Sequence, residues 1–503
     1  MSTPRVLCLT SRTAAILLPA DGAYFALAAP LAWTLEDAGG GLVMSGTTDI
    51  VALFLDDLTP DSRYILRTPI GEVEFLTRPC AGLIDARDFG VSPEHPNNAA
   101  MLAQAIAAVP TGGTLRITAG RYLSGPVFLK PEMTLLLDSG AELAAISDRA
   151  DWPQLPAHDE TGRVIGTWEG LPERSFAALL TAIDCHGLAL TGCGIIDGGG
   201  DRGDWWDWPK ETREGARRPR TVQIAHSSGV SLSGLNIRNS PSWTVHPYRC
   251  RDVTVACIRI DNPPDSPNTD GLNPESCTDV AITGVDFSVG DDCIAIKAGK
   301  RGPGDNTHLA PSRNIAITHC RMQRGHGAVV LGSEMSGDIR DITVAHCTFD
   351  STDRGLRLKT RRGRGGMIAD VRCHDIVMTD VPTPFAANAF YHCDPDGHAP
   401  WVQSRAPRPV DATTPEIKGI ELRDVTAHRV SLAAIALLGL PEAPITDVSI
   451  RNFAVSFDPA AQPGLPLMAD GMEPVRHADL IAINAEVDGQ ATRIAEPEAD
   501  VPC

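Results

Sequence analysis

Residues 278–297 read Thr278-Asp-Val-Ala-Ile-Thr-Gly-Val-Asp-Phe-Ser-Val-Gly-Asp-Asp-Cys-Ile-Ala-Ile-Lys297. Residues 313–332 follow the same scheme: Arg313-Asn-Ile-Ala-Ile-Thr-His-Cys-Arg-Met-Gln-Arg-Gly-His-Gly-Ala-Val-Val-Leu-Gly332. Each opens on an apolar–polar–apolar triplet, and alternation with period two marks a half-buried strand. The triplet starts at Leu188, Val230, Val253, Val280, Ile315, Ile342, Val371, Ile420, Val448 and Leu480, mostly 23 to 35 residues apart. Recurrence at that interval marks a solenoid. The repeats are too short to hold a helical crossover besides their strands, and the leucine–asparagine pattern of leucine-rich repeats is absent. A right-handed parallel β-helix is expected, with equal repeat offsets stacked ~4.8 Å apart.

Outward from this core the chain changes character. We divide it into residues 1–79 and a β-helix over 80–503, since 503 residues exceed one compact domain. Asn97 to Val109 has helical apolar spacing and is expected to cap the first coil, hiding its edge from other chains. Residues 1–79 carry short alternating apolar runs, and Leu58-Thr-Pro-Asp-Ser-Arg-Tyr64 resembles the tyrosine-corner region of fibronectin type III domains. That resemblance implies a small β-sandwich. Two long intervals predict excursions: residues 198–220, with Trp205, Trp206, Trp208 and Arg217-Arg-Pro-Arg220, and residues 382–415, with Tyr391, Trp401 and Arg405. Their tryptophans could stack on a sugar or simply bury a loop hinge.

The formal charge of −19 argues against nucleic acid or an anionic membrane as partner. Positive charge is nevertheless concentrated in residues 354–364, which hold six basic side chains and no acidic one. Beside the aspartates described next, this run is read as a local anion site. No apolar run approaches the ~18 residues that span a bilayer. The segment Ala14–Ala20 is too short and weakly flanked for a secretory signal, so a cytoplasmic location is expected if Met1 is the start, and a periplasmic or secreted one if a leader has been missed. Thirteen cysteines form no compact framework and no Cys-x-x-Cys pair, so no metal is expected. Cys293, Cys320 and Cys347, each 27 residues apart, are expected as stacked core thiols.

Asp291 lies 11 residues after Val280, and His326 lies 11 after Ile315, so they should sit one rung apart on the same face. Arg357 and Lys359, two apart, share a face in the next coil. Asp270 belongs to the preceding one. Alone, Asn-Thr-Asp-Gly reads as a turn, Asp-Asp as a solvated bend and Gly-His-Gly as a tight corner. Asp353 repeats the Asp291 offset and is read as such a bend. Convergence on about four rungs sets the other motifs apart from chance.

In their order Asn268-Thr-Asp-Gly271, Gly290-Asp-Asp292, Gly325-His-Gly327 and Arg357-Leu-Lys359, these motifs resemble glycoside hydrolase family 28, the polygalacturonases, over roughly residues 81–490. The context Asn-Thr-Asp-Gly-Leu-Asn-Pro is more similar to the exo-acting bacterial members. The resemblance implies pectin degradation by inverting hydrolysis of α-1,4-linked galacturonate, with no cofactor. It makes Asp291 the general acid, Asp270 and Asp292 the pair that activates water, and His326 the group that tunes the acid. Arg357 and Lys359 would bind the substrate carboxylate, and Asn268, Lys297 and Tyr391 complete the candidate binding set. An inverting pair stands ~6.5–9.5 Å apart, and neighbouring carboxylates raise one another's pKa. A polysaccharide lyase, a rhamnogalacturonan hydrolase and a non-catalytic carbohydrate-binding β-helix are the competing readings, since a fold alone does not specify a reaction.

Overall fold

The computed structural model describes residues 3–495. Each coil of the solenoid has three walls. In the coil quoted first, the strands are Thr278–Thr283, Asp286–Ser288 and Asp292–Ile296. The first wall stacks in parallel register through Val230, Val253, Val280, Ile315, Ile342, Val371, Ile420 and Val448, as the triplets predict. The last triplet is the exception. Leu480 belongs to the third wall opposite Ile435, and Val448 is met by Val487 instead. Alternation identifies a strand but carries no mark of the wall it joins.

The bend between the first two walls uses one left-handed residue per coil. Gly234, Cys257, Gly284, His319, His346, Asp375, Asp424 and Asn452 occupy it, with φ from 47° to 76°. Glycine is strained least there, and short polar side chains tolerate it. At Gly284 glycine has a second reason: a Cβ would lie 2.1 Å from the Cβ of Ala52, where the amino-terminal unit docks. The interior is a stack of aliphatic rungs, including a column in which Phe287, Met322, Phe349 and Met378 alternate. Thioether sulfur fits well between rings.

The cysteine ladder differs from its expectation. Cys320 donates its N–H to Cys347 Sγ at 3.4 Å, and Cys250 does the same to Cys277 Sγ. Cys293 is not in that ladder, because it sits on the third wall with its thiol on Arg324 O. The 27-residue interval holds within one wall only for the other pairs. The twelve cysteines among the described residues are free thiols.

Ala99–Ala108 forms the expected helix and buries Leu102, Ala105 and Ile106. Ahead of it, antiparallel sheets of three and four strands enclose a core of Ile16, Leu35, Leu55, Leu66 and Phe75, making the β-sandwich. The buried Tyr64 hydroxyl accepts the Thr59 N–H at 3.0 Å, which is the tyrosine-corner contact. Ala14–Leu17 is a fully buried strand of this unit. The sandwich docks at the corner between the first two walls, leaving the third wall open.

Candidate active site

The third wall runs through Asp292–Ile296, Gly327–Gly332, Arg354–Lys359, Thr383–Asn388, Ala433–Leu438 and Ala478–Ile483. Asp292 pairs with Gly327, and His326 donates its backbone N–H to Asp291 O, so Asp291 and His326 are rung neighbours. Val330 pairs with Arg357 and Gly332 with Lys359, which places both cations on the next rung. On the other side, Gly271 donates its N–H to Asp292 O and sets Asp270 one rung below. Repeat offsets in the sequence therefore become distances in space. Asn268, Asp270, Asp291, Asp292, Lys297, His326, Arg357, Lys359 and Tyr391 line one cavity of about 480 Å³.

Charge in this cavity is tightly paired. Lys359 Nζ donates to Asp292 Oδ2 at 2.7 Å, and Arg357 Nη1 lies 3.7 Å from Asp292 Oδ1. That Oδ1 atom is buried and accepts no hydrogen bond from the protein. His326 Nδ1 is 3.2 Å from Asp291 Oδ1. Burial opposes the charge on Asp291, but His326, Lys359 and Lys297 outweigh it and bring its pKa down to about 2. The same hydrogen bond raises His326 to about 9. Asp270 moves the other way, well above the usual carboxylate range, because it is buried and faces the charges of Asp291 and Asp292. In the free site the like-charge effect thus falls on Asp270, while Asp291 shares one proton with His326 across a hydrogen bond.

Lys297 holds this frame from below. Its Nζ lies 3.1 Å from Glu334 and 3.8 Å from Asp270, and 4.4 Å from the centroid of the Trp243 ring. Its first partners are therefore protein groups, and it positions Asp270. Asn268 is fixed through Oδ1 by buried Arg218 at 2.6 Å. Arg357 and Lys359 lie 5.8 and 5.3 Å from the Tyr391 ring centroid.

Several expectations change here. The basic run divides: Arg354, Arg357 and Lys359 line the cavity, whereas Arg361 and Arg364 are neutralised by Asp394 and Arg362 by Glu442. The second excursion starts at residue 389, not 382, because Thr383–Asn388 is a rung of the third wall. Trp205 and Trp208 are buried against Phe176 and Trp152, so they form the hinge. Arg220 lies between the rings of Trp168 and Trp243, and Arg217 pairs with Glu173, so neither reaches the cavity. Asp353, read as a solvated bend, lines the cavity and helps raise His326. Trp243, Lys210, Glu169, Glu334 and Met468 are cavity residues that no repeat offset announces.

Both flanks of the cavity are built from segments outside the repeat. Glu169 and Lys210 pair at 3.2 Å on the amino-terminal side, and Tyr391, Asp394 and Met468 stand on the carboxy-terminal side. Lys300 joins them: its N–H donates to Gly170 O at 2.8 Å and its Nζ to Asp394 Oδ1 at 2.8 Å.

A family model described as glycosyl hydrolases family 28 matches residues 168–462. A probable polygalacturonase of Vitis vinifera is 33% identical over 346 residues, covering 68% of this chain and 67% of its own length. The polygalacturonase of Ralstonia solanacearum is 28% identical over 363 residues, covering 62% of this chain and 65% of its own. Among solved structures, the Family 28 exopolygalacturonase of Yersinia enterocolitica has a TM-score of 0.69 at 18% identity, covering 90% of this chain and 92% of that one. The hyperthermoactive exopolygalacturonase of Thermotoga maritima has a TM-score of 0.64 at 24% identity, covering 75% and 87%. These two structures share the parallel β-helix.

Proposed function

The chain belongs to glycosyl hydrolase family 28, and from that membership we propose that it is a polygalacturonase that hydrolyses α-1,4-galacturonosidic bonds with inversion, working from a chain end. The observation that carries the chemistry is the meeting of Asp270, Asp291, Asp292 and His326 with Arg357 and Lys359 in one cavity. The substrate carboxylate docks on Arg357 and Lys359, where an arginine fork suits a bidentate grip. Bound sugar excludes water, and desolvation favours the neutral pair over the ion pair, with the proton on Asp291 and His326 uncharged. Asp291 then protonates the glycosidic oxygen as the bond breaks. On the opposite face of the sugar, water attacks the anomeric carbon. Asp292 Oδ1, which has no protein hydrogen-bond donor, accepts its proton while Asp270 orients it.

The bridge made by Lys300 between Gly170 and Asp394, which ties together the two sides of the cavity lined by Glu169 and Asp394, is the support for action at a chain end. A product time course on polygalacturonate and its oligomers tests this. Monomer or dimer should appear from the first minutes, with little fall in the length of the remaining polymer. A ladder of intermediate lengths would show internal cleavage. Unsaturated products would establish a lyase, and turnover of rhamnogalacturonan alone would change the substrate.

A further inference from the structure

The excursion that begins at residue 389 meets the loop around Asp470 at the rim of the cleft. There His392, His398 and Asp470 each bring a ligand atom within 4.8 Å of the others, the one such group of three among the described residues. The imidazole rings of His392 and His398 are 4.4 Å apart and inclined by 28°. His398 Nδ1 lies 2.8 Å from Asp470 Oδ1.

The surrounding backbone is shaped to hold this arrangement. Gly397 N–H donates to Asp394 O and Ala399 N–H to Asp396 O, two turns that fold His398 back onto His392. A Cβ at position 397 would lie 2.1 Å from His392 O, so the turn requires glycine. Gln403 ties the loops together: its Nε2 donates to Phe390 O and Gly397 O, and its Oε1 accepts the Asp470 N–H. Arg405 donates to Asp470 O at 2.6 Å.

Two imidazoles and one carboxylate suit a borderline divalent ion such as zinc, whereas calcium and magnesium favour all-oxygen sites. We propose that His392, His398 and Asp470 bind one divalent transition-metal ion of the zinc class, which clasps the two rim loops together. The ion takes the position between His398 Nδ1 and Asp470 Oδ1, and the neutral imidazole then carries its one proton on Nε2. Tetrahedral zinc with bonds of about 2.0–2.1 Å sets its ligand atoms about 3.3 Å apart, so the 2.8 Å contact opens by about half an ångström. Three protein ligands leave the fourth position to water. Tyr391 adjoins one ligand and Met468 lies two residues from another, so the ion steadies two residues that line the cavity.

The test uses the full chain, stripped with a chelator and dialysed, and does not depend on its enzymatic activity. Equilibrium dialysis with Zn²⁺ should find one ion per chain, and Co²⁺ should give the intense visible bands of a four-coordinate site. Affinity should fall by more than about tenfold in His398→Ala and in Asp470→Asn, and stay unchanged in Cys393→Ser and His374→Ala. No stoichiometric ion, undiminished affinity in both ligand variants, or a thiolate-to-cobalt charge-transfer band would each overturn the proposal.

Discussion

Replacing Asp291 by asparagine keeps the size of the side chain and removes its charge, and two independent measurements should respond. The first is the titration of His326. Its rise from 6.5 to about 9 is led by the hydrogen bond to Asp291 and corresponds to a ceiling of about 3.4 kcal/mol at about 1.36 kcal/mol per pH unit. The His326 side chain is 55% exposed, and solvent screening reduces this to about 1 kcal/mol. Histidine-selective NMR should therefore show the His326 pKa falling by about one pH unit in Asp291→Asn, with Asp292 and Asp353 keeping part of the elevation. Because the His326 pKa is raised and the Asp291 pKa lowered, this pair's stabilisation is full between about pH 4 and 6.5, is lost as pH rises through about 9, and is lost in acid as pH falls through about 2. The variant should lose that slope. The second measurement is turnover. Loss of a general acid costs about 10²–10⁴ in kcat on polygalacturonate, but little on a galacturonide whose leaving group departs without protonation. An unchanged His326 titration would refute the pairing. Undiminished turnover on the natural linkage would refute the acid role.

Further outcomes follow from the same geometry. Lys359→Met leaves the buried Asp292 carboxylate with only Arg357 at 3.7 Å and should destabilise by about 3–5 kcal/mol. Adding Asp292→Asn should recover part of the lost thermal midpoint, and no recovery would argue against a buried pair. Arg357→Gln should lower kcat/KM on free-acid oligomers by about 10–150-fold, the worth of one charged hydrogen bond, with a much smaller effect on methyl-esterified ones. Lys300→Ala removes the ion pair to Asp394, and a shift of early products toward longer oligomers would be read by chromatography. Phe287→Ala empties a fully buried rung and should cost about 3–5 kcal/mol, seen as an earlier unfolding transition.

Features that depend on interval and alternation were legible before any coordinates. Strands follow from apolar period two, and stacking in register follows from the repeat, because a solenoid coil meets only its neighbours. Asp291 and His326 could be placed together from an 11-residue offset, and Arg357 and Lys359 from their separation by two. Tyr64 marked the sandwich for a similar reason, since its partner Thr59 is five residues away. The tertiary structure alone decided matters between residues that no repeat relates. Leu480 joins the third wall because the loop between Phe457 and Ala478 delivers it there. The basic run splits because Asp394 and Glu442 come from outside the repeats to neutralise three of its arginines. Trp243 faces the cavity while Trp205 and Trp208 are buried, although composition makes them equals. Excursions obey no period, so the flanks of the cleft and the His392–His398–Asp470 cluster on its rim exist only once distant loops have packed. Periodicity conveys position along a solenoid, whereas the charge balance of its site depends on contacts that have no period.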